Sequence, residues 1–172
     1  SSNLHPIRVK MLDRDDRFLE TGVKKDLINL DEEKHGWERF GQNNYHPELE
    51  EGYMEGASMT KHNGKYYLQY AAPGTQFNVY GDGAYVGDSP LGPFEYMKNN
   101  PMSFKPGGFT NGAGHGMTLQ QTNGQYWHFA TMALASNSQW ERRLCMFPTY
   151  FDEEGLMHSK THYGDYPRYS PD

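Results

Sequence analysis

The amino-acid sequence predicts an all-β chain, and three observations carry that expectation. Of 172 residues, 19 are glycine and 10 are proline, which interrupts the backbone too often for long helices and suits short strands joined by tight turns. Only 35% of the residues are hydrophobic, yet the chain holds 3 Trp, 13 Tyr and 9 Phe, so rings supply bulk that aliphatic side chains usually give. That content argues against disorder in spite of a mean hydropathy of −0.92. Segments of alternating character, or rich in rings and β-branched residues, recur along the chain and are mostly bounded by Gly, Asn, Asp or Pro.

Taken in order, Ile7 to Leu12 alternates apolar and basic residues, Asp13-Arg14-Asp15-Asp16-Arg17 forms a charged turn, and Phe18-Leu19 resumes a strand. This reads as an exposed outer hairpin without chemistry. From Asn29 to Glu51 the chain turns polar, with Asp31-Glu32-Glu33-Lys34-His35-Gly36 leading into Trp37-Glu38-Arg39-Phe40, a long connection that carries an aromatic anchor. An internal repeat follows. Gly56 to Ala71 aligns with Gly114 to Ala130: Met59-Thr60 maps onto Met117-Thr118 with an offset of 58, and Asn63-Gly64 onto Asn123-Gly124 with an offset of 60. Two extra residues therefore fall in the second turn. Each copy reads as strand, Asn-Gly turn and aromatic strand, and continues into a further strand, Gly83 to Gly87 in the first and Arg143 to Phe151 in the second. A unit of about four short strands recurring every ~60 residues is the pattern of a β-propeller blade. The division that results is one partial propeller domain: 1–50 gives outer strands of a preceding blade plus a connection, 51–112 a blade containing Glu55, and 113–172 a blade containing His115. Propellers close with roughly 4 to 8 blades, so further blades or self-association of copies are the expected partners.

The 16 Lys and Arg against 22 Asp and Glu leave a net charge of −6, which opposes a nucleic-acid partner. No run of 18 apolar residues occurs, so no membrane-spanning helix is expected. The lone cysteine, Cys145, excludes a framework of internal disulfides and a Cys-rich zinc site.

Tyr53-Met54-Glu55-Gly56-Ala57, Asn63-Gly64-Lys65-Tyr66-Tyr67-Leu68, Ser89-Pro90-Leu91-Gly92-Pro93-Phe94 and Gly114-His115-Gly116 together resemble glycoside hydrolase family 43. Its xylosidases and arabinofuranosidases are built on a five-bladed β-propeller. The resemblance runs from about Trp37 to Tyr169. It implies a secreted or periplasmic inverting glycosidase whose substrate is an oligosaccharide or polysaccharide containing arabinose or xylose, from xylan or arabinan. It implies the general acid at Glu55, and at His115 a metal contact near the propeller axis, to a bound calcium ion or its water. Ser89 to Phe94 matches an outer-strand signature and reports fold, not chemistry. Family members also carry a base Asp and a second Asp that tunes the acid, typically in Asp-Pro contexts, and this sequence has no Asp-Pro. The resemblance thus places both aspartates upstream of Ser1, the fifth blade beyond Asp172, and the isolated chain without turnover.

Read from the residues alone, Glu55 stands beside Tyr53, Met54, Gly56 and Ala57 rather than in a charge run, a setting suited to a proton donor. The repeat puts Glu55 and His115 at equivalent ends of equivalent strands. A single imidazole is a poor calcium site, since that ion takes six to eight oxygens, and a histidine packed between glycines is the plainer reading. Trp37 and Trp140 lie in loop-like contexts where a ring could cover a sugar, and Arg142 could pair with a site carboxylate. Tyr66, Tyr67, Tyr126, Trp127 and Phe129 read as core between blades. Gly81-Asp82-Gly83 reads as a turn, and so does Asp152-Glu153-Glu154-Gly155. A propeller module that binds carbohydrate or serves structure without catalysis is the alternative function.

Overall fold

Asn63 and Gly64 both take the left-handed backbone conformation, φ 45° and 82°, that a two-residue hairpin turn demands. They join β3 (Glu55–His62) to β4 (Lys65–Ala72). The computed structural model describes residues 6–39, 53–75, 77–134 and 141–162. β4 continues antiparallel into β5 (Gly81–Gly87) and β6 (Phe94–Tyr96), giving a four-stranded meander in the order β3-β4-β5-β6. β7 (Thr110–Gln120), β8 (Tyr126–Leu134), β9 (Arg142–Phe151) and β10 (Met157–Ser159) form a second meander of the same topology. Its first turn, residues 121–125, is three residues longer than Asn63-Gly64: two are the inserted residues, and β8 begins one residue later than the alignment with Lys65 would place it. A separate hairpin pairs β1 (Ile7–Asp13) with β2 (Leu19–Ile28).

The two meanders sit side by side in the register that the sequence offset predicts. Ser58 Oγ donates to the Gly116 carbonyl at 3.1 Å and Thr60 Oγ1 to the Thr118 carbonyl at 2.9 Å, and both pairs are 58 residues apart. Between the sheets, Tyr67, Ala84, Met97, Met102 and Met157 form a buried cluster with Phe151 and Leu156 packed against it. At the far end of the same seam, His62 stacks on Phe151 at 3.8 Å and its Nδ1 lies 3.0 Å from the Tyr126 hydroxyl.

A third layer of contacts ties the β1–β2 hairpin and the connection after it to the first meander. Ile28, Leu30 and Met54 join Leu68, Tyr70 and Tyr85 in one core, with Trp37 and Tyr96 against it. The connection includes a 3-10 turn, Gly36–Glu38. Glu38 is fully buried there, and its carboxylate accepts from the Asp31 amide at 2.9 Å and from the Tyr70 hydroxyl, with His35 Nδ1 at 3.1 Å. These donors replace the water that burial removes.

Elsewhere apolar side chains stay uncovered. Met117, Leu119, Leu144 and Met146 are exposed on the second meander, as are Met11, Leu12, Phe18, Leu19 and Val23 on the hairpin. Among the described residues no helix is long and apolar enough to cross a membrane.

The His62 contact makes stability respond to pH. Burial lowers its pKa below the ordinary 6.5, so the unfolded chain takes up a proton there more readily than the folded one. Its contribution is present above pH 6.5 and is lost as pH falls through the lowered value. Denaturant melts between pH 7.5 and 5 should show a loss of stability that His62→Gln flattens.

Candidate active site

Glu55 opens β3 and pairs with Ala71, while Ser58 pairs with Gln69, so one extra residue is squeezed into β3 between them. The matching end of β7 does the same: Gly114 pairs with Thr131 and Met117 with Phe129. Such bulges bend a strand and re-aim its side chains. Gly56 takes φ +63°, and a Cβ there would lie 2.9 Å from His115 Cγ. His115 takes φ 54°, a conformation that costs a non-glycine residue roughly 1–3 kcal/mol and so must be imposed by its surroundings. The two bulges turn Glu55 and His115 towards each other, with His115 Nδ1 3.6 Å from Glu55 Oε1. Both side chains are partly open to solvent, 36% for Glu55 and 55% for His115. Glu55 Oε1 also accepts a hydrogen bond of 2.7 Å from the Tyr80 hydroxyl. Beside them lies an open groove of about 580 Å³ lined by Gly56, Ala57, Ser58, His115, Met117 and Leu144 among others.

A buried polar chain supports this arrangement. Asp82 Oδ2 accepts from the Gly116 amide at 2.8 Å and lies 2.8 Å from His128 Nε2. His128 Nδ1 lies 2.9 Å from Thr118 Oγ1, Thr118 donates to Gln69 Oε1 at 2.6 Å, and Gln69 Nε2 donates to Thr60 Oγ1 at 2.9 Å. Burial raises the pKa of Asp82, against the lowering effect of His128 and of the Gly116 and His115 amides. By gripping the backbone next to His115, Asp82 holds the bulge in its strained form.

Several expectations change here. Gly81-Asp82-Gly83 is not a turn but the start of β5, and Asp82 is buried within it. Trp37 packs inward: its ring is half-buried against Tyr70 at 5.6 Å, and its Nε1 donates to Tyr96 at 2.8 Å. A Cβ on Gly83 would strike that ring. Arg142 heads β9, is exposed, and donates to Thr75 Oγ1 at 3.3 Å. It is absent from the groove lining. Trp140 lies outside the described residues. Asp152 to Gly155 is the turn expected of it, with Asp152 Oδ1 accepting from the Glu154 and Leu156 amides. Neither Tyr80 nor His128 stands in a motif that marks it for the site. Alternation along β8 puts His128 on the buried side with Tyr126 and Ala130, and that was the available signal.

Comparison with known proteins agrees with this architecture. Residues 24–157 match the model of the glycosyl hydrolases family 43. The chain belongs to that family. It is 31% identical over 108 residues to a β-D-galactofuranosidase of Aspergillus niger, covering 61% of this chain and 31% of that protein. Among solved structures, an endo-1,4-β-xylanase from Bacteroides thetaiotaomicron is 26% identical with a TM-score of 0.56, over 62% of this chain and 37% of that one. A thermostable family-43 glycoside hydrolase reaches a TM-score of 0.70 at 23% identity, over 96% of this chain and 48% of that one. The family-43 chain thus spans between about a third and a half of these relatives, and its two meanders are blades of a β-propeller.

The close packing at Gly116 yields a stability test. A Cβ there would collide with His128 Nε2 and Asp82 Oδ2, parting the buried pair. Gly116→Ala should cost about 3 kcal/mol or more. Gly36→Ala, where nothing lies within 4 Å, should stay within ~0.5 kcal/mol in the same denaturant titration.

Proposed function

We propose that this chain is the acid-bearing part of an inverting glycosidase that cleaves O-glycosidic bonds in arabinose- or xylose-containing plant glycans, with Glu55 as the general acid. The observation that carries the reading is the Glu55 carboxyl held between Tyr80 and His115 beside an open groove. In the reaction, Glu55 gives its proton to the glycosidic oxygen as the bond to the anomeric carbon breaks. Water attacks that carbon from the opposite face and loses its proton to a second carboxylate. Inversion places that carboxylate roughly 6.5–9.5 Å from the acid, leaving room for the water. Asp82 is unsuited to the task, being 1% exposed with Oδ2 engaged by His128 and Gly116. The reading takes the base, as the family resemblance implies, from residues outside this chain, in other blades of a longer propeller.

The names of the relatives support a panel of furanosides and xylosides as substrates. Arg142, two residues before the groove residue Leu144, and Trp140 are our candidates to meet sugar hydroxyls and rings. A calcium ion at His115 would need oxygen ligands from elsewhere, because no three His, Cys, Asp or Glu side chains among the described residues come together around a common point. No step above uses one.

Glu55→Gln, made in the longest reading frame that contains the chain, separates catalysis from structure. Rates on glycosides with poor leaving groups should fall by about 10²- to 10⁴-fold, while activated aryl glycosides, which need little protonation, keep most of their rate. Equal losses on both, measured as kcat/KM, would give Glu55 a structural role and favour a module that binds carbohydrate without turning it over. The 172-residue chain alone should release no sugar from arabinofuranosides, galactofuranosides or xylosides.

A further inference from the structure

We infer that Tyr80 is the positioning residue for Glu55: its hydroxyl fixes one carboxyl oxygen so that the other is left free to face a substrate. This rests on the reading of Glu55 as the acid. The geometry is specific. Tyr80 immediately precedes β5 and is 1% exposed, and its amide donates to the Phe77 carbonyl at 3.1 Å. Its ring lies flat on the one position of β7 that offers it a seat, because a Cβ on Gly114 would be 2.7 Å from both Tyr80 Cδ1 and Cε1. The ring therefore has little freedom to turn, and its hydroxyl is delivered 2.7 Å from Glu55 Oε1.

Oε1 is also the oxygen nearest His115, at 3.6 Å from Nδ1. Both neighbours of the carboxyl thus converge on one oxygen, and among the described residues Oε2 has no hydrogen-bond partner. A carboxylic acid whose carbonyl oxygen accepts from Tyr80 carries its proton on the other oxygen, which is the arrangement a donor to a glycosidic oxygen requires. Burial, with the nearby Glu55 and Asp82 carboxylates and Tyr53, raises the pKa of Tyr80 far above its ordinary 10, so the hydroxyl stays a donor at every working pH. Tyr80 and Asp82, two residues apart, divide the labour: one orients the Glu55 side chain, the other clamps the backbone next to His115.

Tyr80→Phe in the longest reading frame that contains the chain removes one oxygen atom and keeps the ring on Gly114. The expected result is a melting temperature within a few degrees of the parent, KM within about twofold, and kcat on poor leaving groups lowered by about 10- to 100-fold. Activated aryl glycosides should lose less than about threefold. Glu55→Gln is measured beside it, and in the double variant Tyr80→Phe should add no further leaving-group selectivity. If Glu55→Gln is selective and Tyr80→Phe is not, the positioning role is overturned while the acid stands. If Glu55→Gln is not selective, the acid assignment falls and the positioning role with it. A crystal structure of Tyr80→Phe provides a readout independent of turnover: the Glu55 carboxyl should leave its present orientation, and an unmoved carboxyl would refute the inference.

Discussion

The contact between Asp82 and His128 is the constraint around which the rest is arranged. It joins β5 of one blade to β8 of the next, and through the Gly116 amide it also holds β7. Two groups of this kind buried together contribute little net stability, because desolvation consumes most of their attraction. Their value lies in the cost of any arrangement that separates them. The Thr118, Gln69 and Thr60 links extend the same condition across the seam, so the blades have one satisfactory relative placement and few tolerable neighbours to it.

Glycine makes the site possible by leaving volume for other side chains. The missing Cβ of Gly114 is filled by the Tyr80 ring, and that of Gly116 by the Asp82–His128 pair. A strand of ordinary residues could neither approach so closely nor carry the bulge that presents His115. The backbone strain at His115 is borne by this packing, which, with Tyr80 just ahead of β5, keeps the carboxyl and imidazole in place.

Much of this was legible in the sequence. The Asn-Gly turns and the 58-residue offset are local chemistry and simple arithmetic, so the hairpins, the alignment of the blades and the pairing of Glu55 with His115 could be read directly. Asp82 could not, because Gly81-Asp82-Gly83 has the composition of a turn and only the partner strand decides that it is extended. Trp37 stands in a loop-like context that suggests a ring over a sugar; the room for its ring is made by Gly83, 46 residues later, and no local pattern reports that. Tyr80 escaped for a similar reason, since its partners Glu55 and Gly114 lie on two other strands.

The polar chain has one more effect, on misassembly. The five-residue connection between β7 and β8 permits those strands to slip by two residues, and a two-residue slip preserves which side chains face inward. Hydrophobic burial would barely distinguish the slipped hairpin from the native one. Hydrogen bonding would, because Thr118 stands opposite His128 only in the native pairing, and the slipped forms put Gly116 or Gln120 there. The buried imidazole then loses its Thr118 partner and drags Asp82 out of place. A blade whose oily faces tolerate near-miss pairings is in this way proofread by a few desolvated polar atoms.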